Sequence, residues 1–151
     1  MSRAAHLFVA TASRRPMREV EEVLAVADHG FEGCRHSRPG SRRQVLLVES
    51  ETLESFELAP GQVKENITTR GARLNDLASG ERLSIGQAVL EVTRPCEPCS
   101  RMDEIRMGLQ QELRGQRGIL CRVIQGGRIH RGDAIQVGSA AVATPKIGGE
   151  L

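Results

Sequence analysis

Residues 80–103 read GERLSIGQAVLEVTRPCEPCSRMD, and the way this stretch folds decides the class of the whole chain. Leu83 and Ile85 alternate with polar residues, Gly86 breaks the run, and residues 88–93 resume it, the pattern of a β-hairpin. Pro95 and Pro98 then keep the backbone extended, because each fixes its own φ and pushes the preceding residue out of helical space. A helix can begin only near Ser100, which forms a capping-box pattern with Asp103. Met102, Ile105, Leu109 and Leu113 would share one face of a helix over residues 101–114, with Gly115 as its stop. Cys96 and Cys99 therefore sit on a stiff loop between strand and helix. Cys99, just ahead of the helix and between Arg94 and Arg101, lies where positive charge and free N–H groups favour a thiolate. The plainer reading is a pair of small buried hydrophobes.

Outward from this stretch, short apolar runs at residues 5–12, 20–27, 44–48, 119–125 and 134–137 are expected strands. Residues 20–27 fit helix and strand alike; the turn chemistry of Asp28-His29-Gly30 decides for strand. Residues 62–71 are a strand unusually rich in polar side chains, residues 49–56 a short helix, and residues 74–80 a loop. Gly126-Gly127 suits a hairpin turn from 119–125 into 128–130. Residues 30–43 are long, polar and irregular, as loops that carry function often are. Many short strands, glycine-rich turns and one or two short helices make a mainly-β domain, expected as a closed or partly open β-barrel. It would be a single domain over 1–151, with its core at about 5–138 and a loosely held tail at 143–151.

A chain of 151 residues can bury one core without disulfides. With three Phe and no Tyr or Trp, that core must be Val, Leu, Ile and Ala, and no stacking platform for single-stranded nucleic acid is available. The net charge of +2 comes from interspersed signs, which also argues against a duplex partner. The cations are nearly all arginine, suited to a two-pronged grip on phosphate or carboxylate; the only lysines are Lys64 and Lys146. No apolar run is long enough for a membrane-spanning helix, and residues 7–12 are too short for a signal-peptide core. Four cysteines in such a chain point to a reducing compartment. The expectation is a soluble cytoplasmic protein without nucleic-acid or membrane partners.

Four constellations could carry chemistry. Cys34-x-His36 and Cys96-x-x-Cys99 could build a Cys3His zinc site, which would make this a non-catalytic domain; purely structural cysteines would do the same. Cys96 and Cys99 could form a redox disulfide, although the βαβ context of such motifs is missing. Cys99 could act as a nucleophile beside His6, His29, His36 or His130. Finally, Arg35, His36, Arg42, Arg43, Lys64, Asn66, Thr68 and Thr69 fall in two polar stretches that a barrel could join into an anion site. A phosphate grip beside a soft thiolate suits a phosphorylated cofactor whose metal prefers sulfur.

Six blocks in order resemble the MOSC family, the domain related to the C-terminal part of molybdenum-cofactor sulfurases. They are Gly30-Phe31-Glu32-Gly33-Cys34-Arg35-His36, Arg43-Gln44-Val45-Leu46-Leu47, Pro60-Gly61 with Glu65-Asn66-Ile67-Thr68, residues 77–86 (LASGERLSIG), Pro98-Cys99, and the run from Gly118 to Asp133. Each is unspecific alone; six in order are not. The resemblance implies a pyruvate-kinase insert-like barrel. It also implies binding of a molybdenum cofactor of the molybdopterin type, or carriage of persulfide sulfur, through one cysteine that falls on Cys99. That residue would be both metal ligand and catalytic residue. Enzymatic relatives reduce N-hydroxylated compounds with electrons from a flavin or iron–sulfur protein, so a small-molecule substrate and a separate redox partner protein are implied. The function expected is cofactor or sulfur handling, or reduction of such compounds. On this view Arg43, Asn66, Thr68 and Arg94 hold the pterin and its phosphate, and His36 supports the site. Two residues depart from the family pattern. Cys34 replaces an aspartate, opening a contact with Cys96 or Cys99, and Lys64 puts a bulky cation where the family's glycine implies a need for a flexible backbone.

Overall fold

Val45, Leu46, Leu47 and Val48 are all buried, so the strand they form must be covered on both faces. The surroundings of that strand define the architecture. A computed structural model describes residues 1–12 and 14–138; the tail expected at 143–151 lies outside the described residues. The strands are β1 (Arg3–Val9), β2 (Arg18–Val20), β3 (Glu22–Val26), β4 (Gly30–Phe31), β5 (Val45–Glu49), β6 (Ile67–Arg70), β7 (Arg82–Ile85), β8 (Ala88–Pro95), β9 (Ile119–Gln125), β10 (Gly127–His130) and β11 (Ile135–Val137). Three short helices, α1 (Ser50–Ser55), α2 (Met102–Ile105) and α3 (Leu109–Glu112), and one 3-10 turn at Leu74–Asp76 complete the description.

Eight strands form one curled sheet in the order β11-β7-β8-β9-β5-β6-β1-β2. Neighbours are antiparallel except β5 and β6, which run parallel. The two ends of the sheet meet: Arg3 bridges Ala134, the Ala4 N–H donates to the Asp133 carbonyl at 2.8 Å, and the Ile135 N–H donates to the Ser2 carbonyl at 2.9 Å. β2 occupies the rest of the β1 edge. The result is the expected mainly-β, partly open barrel. A second sheet, ordered β10-β3-β4, contributes Val23, Ala25, Phe31 and Ile129 to the same core.

Alternation along β5 splits the apolar residues between two cores. Val45 and Leu47 point into the barrel with Leu7, Ile67, Leu90 and Cys121. Leu46 and Val48 face outward, where Leu53 of α1, Met102 of α2, and Leu109 and Leu113 in and just after α3 cover them. Each fully buried leucine contributes about 1.5–3 kcal/mol, so helices too short to stand alone are held by what they cover.

Two expectations need correction. The helix over 101–114 is broken, because Arg106 is extended (φ −158°, ψ 131°) and Gly108 is left-handed (φ 89°). Its apolar spacing was sound, since Met102, Ile105, Leu109 and Leu113 all reach the second core. Gly126-Gly127 is not a hairpin turn either: β10 pairs with β3 and not with β9. These glycines allow close approach as the chain passes between sheets. A Cβ on Gly126 would meet the Ala25 carbonyl oxygen at 2.8 Å, and one on Gly127 would meet the Gln87 Cβ at 2.6 Å and its carbonyl oxygen at 2.7 Å.

Gly127→Ala should therefore destabilise the domain by about 1–3 kcal/mol, seen as a lower denaturant midpoint with unchanged slope. An unchanged midpoint would contradict this packing.

Candidate functional site

The turn before β6 is held by its own polar side chains. Glu65 is fully buried, and its Oε2 accepts from the Gly61 N–H at 2.7 Å and the Thr68 hydroxyl at 2.6 Å. Asn66 is fully buried as well. Its Oδ1 accepts from the Leu46 N–H at 3.0 Å, and its Nδ2 donates to the Phe8 carbonyl at 3.2 Å and to Cys34 Sγ at 3.3 Å. The same Oδ1 lies 3.5 Å from His36 Nδ1. One amide thus ties β1 and β5 to the loop carrying Cys34 and His36. Beside it, Lys64 adopts φ 71°, a left-handed conformation that glycine takes freely and other residues take at a cost of about 1–2 kcal/mol. Lysine bears that cost, and its ammonium donates to the Arg15 carbonyl at 2.8 Å.

Loop 34–43, the cysteine loop and α2 enclose a cleft of about 610 Å³ floored by Leu46, Met102 and Leu120. Among the described residues, Arg14, Arg35, Arg38, Arg43, Lys64, Arg101 and Arg117 line it against a single acid, Glu104. Crowded cations of this kind create a positive potential that draws an anionic ligand. Arg117 sharpens the point. It is buried, one terminal nitrogen donates to the Val63 carbonyl at 2.6 Å, and its Nε and Nη1 have no partner among the described residues. A buried guanidinium with unmet donors is costly until an anion completes it. A second cleft, of about 470 Å³, contains Arg70 and Arg131, but these pair with Glu54 and Glu21 and leave no comparable demand.

All four cysteines are free, so Cys96 and Cys99 are not joined. Cys99 is exposed and lines the cleft, and Cys96 is buried beside it. Cys34 belongs to the barrel core and Cys96 to the outer one, so the contact opened by the Cys34 departure does not form with Cys96. Among the described residues no three Cys, His, Asp or Glu side chains gather in a metal-holding group, and the Cys34-His36-Cys96-Cys99 zinc arrangement is not assembled. Burial opposes ionisation of Cys34, but hydrogen bonds from His36 and from the Ala10 N–H (3.3 Å) outweigh it and bring the thiol down to about 7. The hydrogen bond with Cys34 holds His36 above its ordinary value, against burial and the charge of Arg43. Cys121, in contrast, is pushed up by complete burial and by Glu91.

Of the residues expected at the site, Cys99, His36 and Arg43 line the cleft. Asn66 and Thr68 point inward and spend their polar atoms on the turn. Arg94 is exposed on β8 and is not part of the cleft wall. His6, His29 and His130 lie elsewhere, bonded to Glu19, the Ala27 carbonyl and Glu22. The Ser100–Asp103 capping box is absent: α2 starts without a side-chain cap, and Asp103 accepts from the Gln110 N–H at 3.0 Å. A four-residue helix adds little dipole; Arg101 lines the same cleft as Cys99. Arg117, Arg14 and Arg38 were not singled out in the sequence, where nothing separates them from ordinary surface arginines.

Residues 35–136 match the MOSC domain family. The YuaD protein from Bacillus subtilis superposes with a TM-score of 0.77 at 21% identity, over 93% of this chain and 97% of that one. YiiM from Geobacillus stearothermophilus gives 0.75 at 21%, over 95% and 78%, and YiiM from Escherichia coli gives 0.66 at 19%, over 89% and 70%. At these identities the structures share the fold. No curated protein matches significantly.

One thiol of the native chain should react rapidly with a charged alkylating reagent, and Cys99→Ser should remove that fast phase. The buried thiols should follow only on unfolding. Equal rates at all four would contradict the burial described.

Proposed function

The chain belongs to the MOSC domain family, and on that premise we propose that it binds a molybdenum cofactor of the molybdopterin type in the basic cleft, with Cys99 as a ligand to the metal. The observation carrying this reading is the meeting, in one cleft, of an exposed soft thiol with a surplus of guanidinium groups that includes the unpaired, buried Arg117. The donor set fits the group: a thiolate suits molybdenum, and arginine forks suit a phosphate. Arg117, Arg43, Arg35 and Lys64 would hold the phosphate and pterin, and Arg101 would neutralise charge next to Cys99. Asn66 and Thr68 would serve indirectly by fixing the cleft wall, and Arg94, which does not line the cleft, is left out of this set. Bound there, the cofactor would supply two-electron chemistry for reducing N-hydroxylated small molecules, with electrons from a separate flavin or iron–sulfur protein.

The exposure of Cys99 favours a second reading, in which the thiol carries sulfur as a persulfide to an acceptor that enters the cleft. Free cysteines throughout suit a reducing, cytoplasmic setting. Among the described residues no helix is long and apolar enough to cross a membrane.

Elemental analysis of protein expressed with abundant cofactor tests the proposal. Wild type should hold close to one molybdenum per chain, Cys99→Ser should lose it, and Arg117→Met should retain about tenfold less, the loss expected for a charge-assisted hydrogen bond. Cyanide-labile sulfur on Cys99 without molybdenum would select the second reading. Neither molybdenum nor labile sulfur would overturn both.

A further inference from the structure

We propose that Cys34 is a thiolate that positions and charges His36, so that the cleft presents an imidazolium donor to an oxygen of its anionic ligand. Cys34 is thereby a positioning residue: it is buried in the barrel core and acts through His36, which lines both the cleft and the recess beside it. The inference deepens the reading of the same cleft and rests on that reading only for the identity of the ligand.

The groups around Cys34 Sγ are donors. The Ala10 N–H and the Asn66 Nδ2–H each approach at 3.3 Å, and the same Asn66 amide faces His36 Nδ1 through its Oδ1 at 3.5 Å, so that one side chain holds Cys34 and His36 together. A neutral thiol must place its own hydrogen on an acceptor, whereas a thiolate accepts from every donor around it. If Cys34 were only an apolar filler, nothing would require a buried side-chain amide to spend a hydrogen on it.

His36 needs such a partner. Arg43 acts directly against its protonation. Arg14, Arg35, Lys64 and Arg101 share its recess, and Glu104 is the one acid of the adjoining cleft. Among so many cations an imidazole without a nearby anion would be driven neutral. The neighbouring Asn66 carbonyl oxygen, 3.5 Å from Nδ1, can orient the ring but brings no charge. The thiolate two residues away supplies it, where the family pattern has an aspartate.

Nuclear magnetic resonance titration of the His36 ring in cofactor-free protein is the test. In wild type the ring should hold its proton above the ordinary 6.5. Cys34→Asp should keep this behaviour, and Cys34→Ser should weaken proton binding at His36 by about tenfold or more. One midpoint shared by all three proteins would overturn the proposal. If the variants do not fold, wild type labelled at cysteine decides. A Cys34 Cβ signal that moves with the His36 ring supports the pair, and a thiol that stays protonated through the neutral range overturns it. Loss of molybdenum binding with this coupling intact would count against the proposed function and not against the pair.

Discussion

The side-chain amide of Asn66 is the interaction on which both barrel and cleft depend. It is buried without water contact, so each of its hydrogen-bonding groups must find protein, and each does. The bonds reach β1 through the Phe8 carbonyl, β5 through the Leu46 N–H, and the cleft loop through Cys34 and His36. Buried polar groups satisfied in this way specify one arrangement, because any shift leaves a donor or acceptor stranded. β5 and β6 run in parallel, a pairing that no tight turn can register, and the amide bonds to Leu46 just where their register begins. The geometry of His36 in the cleft is thus a consequence of how the barrel is pinned.

Electrostatics divides the molecule in the same way. Around the second cleft and along the sheet edges, arginines meet glutamates and the charges cancel locally; exposed pairs like these contribute little to stability. Around Cys99 the cations outnumber the acids and one guanidinium is buried with unmet donors. A protein sustains such an imbalance at a cost in folding free energy, as functional sites commonly do. Lys64 adds a backbone cost at the same place.

Periodicity and turn chemistry made much of the fold legible. β9 was bounded correctly because its apolar run ends at a glycine pair, and β7–β8 because Gly86 sits in the tight turn between alternating segments. The helix over 101–114 kept its apolar face but not its continuity, since no propensity signals the extended Arg106. Gly126-Gly127 misled because close packing and turn formation demand the same residue. Of the cleft's lining, Cys99, His36 and Arg43 were singled out in the sequence through motif order. The polar residues of Glu65-Asn66-Ile67-Thr68 look like ligand contacts in the sequence; in the structure they are buried and bonded to the surrounding protein, a placement that only folding reveals. Arg117 was invisible, because before folding an arginine after a glycine-containing turn is indistinguishable from solvated charge.

The central claim is that Cys99 and the arginine-lined cleft form one metal-cofactor site. X-ray absorption at the molybdenum edge of the loaded protein tests it most directly. The account predicts one more sulfur neighbour of molybdenum in wild type than in any metal that Cys99→Ser retains. Identical sulfur shells in the two proteins would mean that the cysteine at the cleft is not a ligand, and would contradict the account.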